Sequence, residues 1–234
     1  MKKLIYIITA LISVSVVNAQ TLDEIVKKYS AAMKTDQLTK VQTIKITGKM
    51  SAMGMEMPMT MYMKNPNKIK VVYTFSGQEI VSVFDGEKGY MVNPMMGSST
   101  PVELTGEQLK QIQDNNAFTD QLTGYFKKGQ LSFEDEENVN GKPAFKLKAA
   151  NEGGKPIYMS IDKDTYYIVK VSTTVSQMGQ EMVVDSFMSD YTDNQGVVMP
   201  KRTTASTGGM EVSVITFDKI EVNQPIEDSV FKVK

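Results

Sequence analysis

The sequence predicts a single domain of the α+β class that is mainly β. Apolar residues recur at helical spacing only near residues 22–34 and 104–128, whereas short β-type runs broken by turn signals fill the rest of the chain after Val41. No Pro/Ser-rich linker, internal repeat or low-complexity tract divides residues 20–234. One domain is therefore expected over residues 20–234.

Residues 1–19 are typical of an export signal. Lys2 and Lys3 precede an apolar run that ends near Val17, and small or aliphatic residues follow at the positions that a signal peptidase reads. The run is shorter than the ~20 residues that span a bilayer. We predict cleavage after Ala19 and, in a Gram-negative cell, a periplasmic product that is soluble because no cysteine follows to carry a lipid anchor.

The composition excludes much of enzyme chemistry. The chain contains no Cys, His or Trp, which removes thiol nucleophiles, imidazole bases and the usual zinc ligands. Without Lys2 and Lys3 the basic side chains number 24 against 27 acidic ones, a net charge of −3. A nucleic-acid partner held through its phosphates is not expected at that charge.

The first element after the signal is predicted to be a helix. Thr21 and Glu24 have the spacing of a capping box, and apolar residues recur at helical intervals from Leu22 to Met33. Two further short helices are predicted between Leu104 and Lys128.

About ten or eleven strands are predicted around these helices. Their turn signals include Asp85-Gly86, Asn140-Gly141 and Gly208-Gly209. The expected ranges are 41–52, 55–64, 67–75, 78–84, 88–93, 130–138, 143–150, 155–162, 165–176, 180–191 and 209–222, with residues 197–204 as a doubtful addition.

The second predicted strand carries an unbroken alternation of methionines from Met53 to Met63. Period two is the β period. A two-residue turn at Met53-Gly54 would place four residues of the preceding strand, Ile44, Ile46, Gly48 and Met50, opposite Met63, Met61, Met59 and Met57 respectively. One face of this hairpin would then be wholly apolar, and the other would carry Lys45, Thr47, Lys49, Glu56, Pro58, Thr60 and Tyr62. Because Pro58 cannot donate to a ladder, the pair should lie at an edge or a local bend.

Three interpretations of this apolar face are open. It is an ordinary core covered by the first helix, a surface that accommodates variable apolar ligands such as lipid chains, or a thioether site for Cu(I). Methionine is flexible and specifies a core poorly, which favours an adaptable surface. Thioethers also bind Cu(I), although strand neighbours two residues apart stand nearly ~7 Å apart and would need ligands from adjacent strands.

The order of these elements resembles the periplasmic lipoprotein carriers of the LolA type and their outer-membrane lipoprotein-sorting relatives. The resemblance rests on five short segments that span most of residues 20–234. They are Tyr62 to Lys70, Phe84 to Tyr90, Tyr191 through Gly196 to Lys201, Ile220 to Asn223, and Asp228 to Phe231.

The resemblance implies a single curved antiparallel sheet forming an incomplete, half-open β-barrel, with the N-terminal helix and the two inserted helices over its concave face. That face would hold acyl chains, and the inserted helices would act as a lid. The expected lipid-binding residues are Ile44, Ile46, Met50, Met57, Met59, Met61, Met63, Ile69, Val71, Tyr73, Leu109, Ile112, Phe118 and Leu122.

The resemblance also implies the partners of such a protein. These are the acyl chains of lipids or lipoproteins, with membrane-bound donor and acceptor proteins, for a carrier that is a monomer, not an enzyme, and needs neither a cofactor nor a metal. One departure concerns lid closure: the carriers use an arginine near the start of the barrel, where this chain has Lys45 and Lys49. The lipoprotein transfer cycle is therefore not carried over, and a Met-only Cu(I) protein or a structural envelope domain remain as alternatives.

Overall fold

The computed structural model describes residues 20–114, 116–150, 154–177 and 180–233. The predicted export signal, residues 1–19, lies outside the described residues. Within them the helices are α1 (Leu22–Ala32), α2 (Gly106–Asp114) and α3 (Gln121–Lys127). Short 3₁₀ turns occur at Leu38–Lys40, Pro94–Met96 and Asp228–Phe231.

Thirteen strands are described. They are β1 (Thr43–Ala52), β2 (Met55–Lys64), β3 (Lys68–Phe75), β4 (Gln78–Phe84), β5 (Gly89–Asn93), β6 (Ser98–Leu104), β7 (Leu131–Val139), β8 (Lys142–Ala149), β9 (Ile157–Asp162), β10 (Ile168–Gln177), β11 (Gln180–Asn194), β12 (Val197–Thr207) and β13 (Met210–Val222).

All thirteen strands form one antiparallel sheet in the order β6-β5-β4-β3-β2-β1-β13-β12-β11-β10-β9-β8-β7. Apart from β6 and β7, strands that are neighbours in sequence pair with each other. The sheet becomes continuous because β1 pairs with β13 from Ile44–Val222 to Ala52–Ser213. The end strands β6 and β7 do not pair, so the sheet is open. This confirms the predicted fold class, a mainly β, incomplete barrel with few helices.

The predicted elements occur at their places, with two corrections to the strand count. The segment 98–104 is strand β6, which was not predicted, and the doubtful segment 197–204 is part of the full strand β12. The N-terminal capping box is present, since the Glu24 backbone N–H donates to Thr21 Oγ1 and the Thr21 N–H donates to the Glu24 carboxylate, both at 3.3 Å.

Two hydrophobic clusters occupy the helix-covered face of the sheet. One, which we call the methionine cluster, is centred on β1–β3 and includes Ile44, Met59 and Met63 together with Ile112 of α2. The other, the N-terminal cluster, joins Ile25 and Tyr29 of α1 and Leu122 of α3 to strands β7–β9. Each half of the sheet therefore has its own helical cover.

Candidate functional site

The β1–β2 hairpin has the register that the sequence predicts. Ile44 lies opposite Met63, Ile46 opposite Met61, Gly48 opposite Met59 and Met50 opposite Met57. Its turn residues Met53 and Gly54 have φ angles of 52° and 76°. Two consecutive positive φ angles are those of a type I′ turn, which matches the twist of the flanking strands.

Of the two alternatives expected from Pro58, an edge or a local bend, the edge is wrong, because β2 is an interior strand between β1 and β3. The β2–β3 ladder runs from Lys64 only as far as Met59. Pro58 is the next residue, so its missing N–H lies just beyond the ladder and costs no hydrogen bond there.

Burial changes along the run of methionines. Met63 and Met59 are buried, and Met61 packs half-buried against the methionine cluster. Met57 is half-buried, as is its partner Met50, and neither belongs to the described clusters. Met55 and Met53 are exposed. The methionines therefore lead from the core to the tip of the hairpin.

Neighbouring strands extend this apolar surface on both sides. Tyr73, Val71 and Ile69 of β3 lie opposite Met59, Met61 and Met63, respectively. Val222 and Ile220 of β13 lie opposite Ile44 and Ile46. Burial raises the pKa of the Tyr73 hydroxyl, so this side chain is neutral at ordinary pH. We call this surface the methionine face.

Helix α2 and the loop after it cover the methionine face. Ile112 is buried in the methionine cluster, and Leu109 and Phe118 pack against it. The helix approaches closely because β5 has a glycine beneath it: a Cβ atom on Gly89 would lie 2.7 Å from Leu109 Cδ1. The loop is tied down where Asn116 Nδ2 donates to the Pro66 carbonyl at 2.9 Å.

Leu122, which the sequence grouped with this surface, lies in the N-terminal cluster instead. There α3 is joined to α1, because the Tyr29 hydroxyl donates to Asp120 Oδ1 at 2.8 Å. Burial, and next the charge and hydrogen bond of Asp120, raise the pKa of Tyr29 well above its ordinary value. The two inserted helices thus cover different halves of the sheet, and of the two only α2 packs on the methionine face.

The opposite face of β1 and β2 is polar, as expected. Lys49 Nζ lies 2.8 Å from Glu56 Oε1, and Lys45 Nζ lies 5.6 Å from the centre of the Tyr62 ring. The sequence did not indicate that the C-terminal segment packs on this face. Lys64 Nζ donates to the Ile226 carbonyl at 2.9 Å and to Asp228 Oδ1 at 2.7 Å.

Among the described residues, three of the cavities lie away from the strand methionines, which line none of these three. One of about 500 Å³ lies beside the C-terminal segment and is lined by Lys68, Asp85, Asp228 and Phe231 among others. Another of about 370 Å³ lies between α2 and α3, and the third, of about 290 Å³, lies beside Asp193 and Glu221. In this state, side chains of α2 and its loop occupy the space over the buried part of the methionine face.

Ser160 and Lys163 have the Ser-x-x-Lys spacing of some acyl-enzymes but do not form a serine–lysine pair. Ser160 donates to Glu137, and Lys163 pairs with Glu136. Across the described ranges no set of three or more acidic, His or Cys side chains is placed to hold a metal ion. No helix in the same ranges has the length and apolarity to cross a membrane.

Similarity to known proteins is found in the fold and not in a sequence match. No family model matches the chain, and no curated protein matches it. A DUF1329 family protein from Desulfovibrio piger superposes with a TM-score of 0.60 at 14% identity, covering 89% of this chain and 97% of that one.

Two other similar structures carry names related to lipoprotein sorting. A putative outer membrane lipoprotein-sorting protein domain from Vibrio parahaemolyticus gives a TM-score of 0.57 at 10% identity, over 89% of this chain and 94% of that chain. A LolA superfamily protein from Nitrosomonas europaea gives 0.55 at 13% identity, over 87% of this chain and 97% of that chain. The chain therefore has the LolA-type fold.

Proposed function

We propose that this protein is a non-enzymatic periplasmic carrier that binds the acyl chains of lipids or lipoproteins on the methionine face. The observation that carries the proposal is a continuous apolar surface on β1–β3 and β13 whose cover is one short helix and its loop. The LolA-type fold supports it, since two proteins that share the fold are named for lipoprotein sorting or for LolA. The export signal predicted in residues 1–19 supports the periplasm.

The proposed binding step exchanges one apolar cover for another. Leu109, Ile112 and Phe118 would leave the methionine face, and an acyl chain would take their place on Met59, Met61 and Met63. Unbranched thioether side chains can rearrange around a chain of variable shape, which branched side chains do less well. Each methylene that the chain buries contributes about 0.8 kcal/mol.

The carrier would act alone as a monomer and exchange its cargo with donor and acceptor partners at membranes. No metal or cofactor is part of the proposed step. Leu122 of α3 was expected to bind lipid but packs with α1 in the N-terminal cluster, so in this proposal α3 holds α1 rather than the cargo.

Native mass spectrometry tests the proposal on protein purified gently from a periplasmic extract. We expect a lipid-sized adduct that organic extraction removes. Met61 offers the sharpest variant because it is half-buried on the methionine face, so that Met61→Glu should remove the adduct with less risk to folding than a change at the buried Met59. Thr60→Glu is the matched control, since Thr60 is also half-buried but points to the opposite face.

Two outcomes would contradict the proposal. Bare protein from repeated preparations that also fails to take up a fluorescent fatty acid would leave the methionine face as an ordinary core. An adduct that Met61→Leu abolishes, and that a Cu(I) chelator removes, would indicate metal binding, because leucine keeps the apolar surface and lacks the thioether.

A further inference from the structure

Four hairpin turns lie at the same end of the half-sheet that carries the methionine face. Hairpin turns of an antiparallel sheet alternate between its two ends, so the β1–β2, β3–β4, β5–β6 and β12–β13 turns share one end in this strand order. Their residues are Met53-Gly54, Ser76-Gly77, Pro94 to Gly97 and Gly208-Gly209, and none is charged. We call this end the methionine rim.

Exposed methionines lie in two of these turns and directly after a third. Met53 is 94% exposed, Met96 79% and Met210 72%, and Met95 beside Met96 is also exposed. Large apolar side chains at the tips of turns are costly to leave in water, and soluble proteins seldom group them at one end without a use.

The other end of the same half-sheet has the opposite character. Its β4–β5 turn contains Asp85, Glu87 and Lys88, and the ion pairs of Asp228 with Lys64 and Lys68 lie beside it at 2.7 and 3.2 Å. The half-sheet is therefore polarised along its strands, with charge at one end and uncharged, methionine-bearing tips at the other.

The methionine rim is continuous with the methionine face. Along β2 the alternate side chains pass from buried Met63 and Met59 through half-buried Met57 to exposed Met55 and Met53 at the tip. Half-buried Met50 lies opposite Met57 on β1. The apolar surface thus opens towards the rim, away from the charged end.

We propose that the methionine rim inserts its turn methionines into the surface layer of a lipid bilayer, so that acyl chains enter the methionine face from that end. This inference rests on the proposed carrier function and names the surface that the carrier meets. A bilayer suits the rim because single side chains on separate narrow turns can each enter a fluid apolar phase, whereas a rigid partner would need a matching hole for each. No charged turn residue has to be dehydrated.

The charges nearest the rim also indicate which bilayer it suits. Exposed Glu56, Glu79 and Glu211 flank three of the turns, and acidic side chains beside the rim gain nothing from an anionic surface. Binding should therefore be apolar in origin and at least as strong on phosphatidylcholine as on vesicles that contain phosphatidylglycerol.

Flotation with phosphatidylcholine vesicles tests this inference. The purified protein should float with the vesicles, and Met53→Asp with Met96→Asp should lower the partition coefficient at least about tenfold, because burying one methionine side chain is worth roughly a factor of ten or more. Aspartate is compatible with the positive φ of Met53. The matched control is Asn140→Asp with Gln195→Glu, which adds two acids at exposed turns of the other end and should leave flotation unchanged.

Two further measurements separate this inference from the proposed function. The double variant Met53→Leu/Met96→Leu should still float with the vesicles. Loss of flotation in that variant would overturn the inference that the contact with the bilayer is apolar. Uptake of a soluble fluorescent fatty acid without vesicles should be the same in the Met53→Asp/Met96→Asp variant as in the unaltered protein. Normal uptake combined with no flotation of the unaltered protein would overturn the rim inference alone, whereas flotation without uptake would overturn the carrier.

Discussion

At Gly48 the backbones of β1 and β13 approach closely. A Cβ atom there would overlap the Thr216 carbonyl oxygen and lie 3.0 Å from Phe217 Cα, and neither backbone atom can rotate away. The ladder is irregular at this point, between Thr47 and Gly48. We expect Gly48→Ala to lower the free energy of unfolding by about 2 kcal/mol, measured by urea denaturation.

Gly124 provides the control for that measurement. It lies in α3 with no atom within 4 Å of an added Cβ, so Gly124→Ala should raise the free energy of unfolding by about 0.5–1 kcal/mol through helix propensity. Equal losses at both glycines would show that contact with β13 is not the cause.

Asp85 makes the β4–β5 turn sensitive to acid. Its Oδ1 accepts from the backbone N–H groups of Lys88 and Glu87 at 2.8 and 2.9 Å, and these two bonds lower the pKa of the carboxyl group. A carboxyl whose pKa is lower in the folded state stabilises the fold above its unfolded value of about 3.9, and this contribution is lost as the pH falls through the folded pKa.

The expected result is a difference in melting temperature between the unaltered protein and Asp85→Asn that depends on pH. The unaltered protein should melt higher at pH 7, and the difference should shrink as the pH falls below about 4. A constant difference over that range would mean that the carboxylate charge contributes nothing to the turn.

At the scale of elements, α2 and α3 cover different halves of the sheet, and the close packing of α2 on β5 depends on Gly89. Because an added Cβ would lie 2.7 Å from Leu109 Cδ1 and 3.2 Å from Leu104 Cβ, Gly89→Ala should loosen α2 rather than unfold the sheet. A loss of about 1 kcal/mol in local stability corresponds to roughly fivefold faster exchange of the amide hydrogens of residues 106–114. The amides of α1 serve as the internal control and should not change, since α1 packs in the N-terminal cluster.

The prolines in β12 and β6 occupy positions where a strand tolerates a residue without a backbone N–H. In β12 the ladder to β13 extends only as far as Arg202, so the missing N–H of Pro200 falls outside it in the same way as that of Pro58 in β2. Strand β6 escaped prediction because its segment has little alternation and contains Pro101. As an edge strand it tolerates that proline, which also discourages pairing with another chain.

The local pattern was enough to predict the β1–β2 register, since a two-residue turn and an alternating face fix every pair. It could not assign Leu122 to a cluster, because that depends on packing between segments far apart in sequence, such as α1 and α3, which the Tyr29–Asp120 hydrogen bond joins. The five segments that carry the family resemblance likewise serve the fold. Asn223 Oδ1, for example, accepts from the Gln42 N–H at 2.8 Å, and the Asn65 side chain donates to the Val41 carbonyl at 2.8 Å.

For the whole molecule, the proposed exchange of α2 for a ligand sets a minimum length for the acyl chain that can bind. Uncovering Leu109, Ile112 and Phe118 costs about 6 kcal/mol at about 2 kcal/mol for each side chain, and an acyl chain offsets this at about 0.8 kcal/mol per buried methylene. A chain must therefore bury roughly eight methylenes before binding becomes favourable. Calorimetric titration with a series of fatty acids should show little binding of hexanoate and firm binding of hexadecanoate.

Ile112→Ala tests the origin of that minimum, because Ile112 is the buried residue of α2 in the methionine cluster. Removing part of the cover lowers the free-energy cost of exposing the methionine face. The shortest acyl chain that binds should therefore become about two to three methylenes shorter. Gln111→Ala, on the exposed side of the same helix, should leave the minimum where it is. If affinity rises evenly with chain length and Ile112→Ala does not change its onset, α2 is not displaced by the ligand, and the acyl chain binds elsewhere than on the buried part of the methionine face.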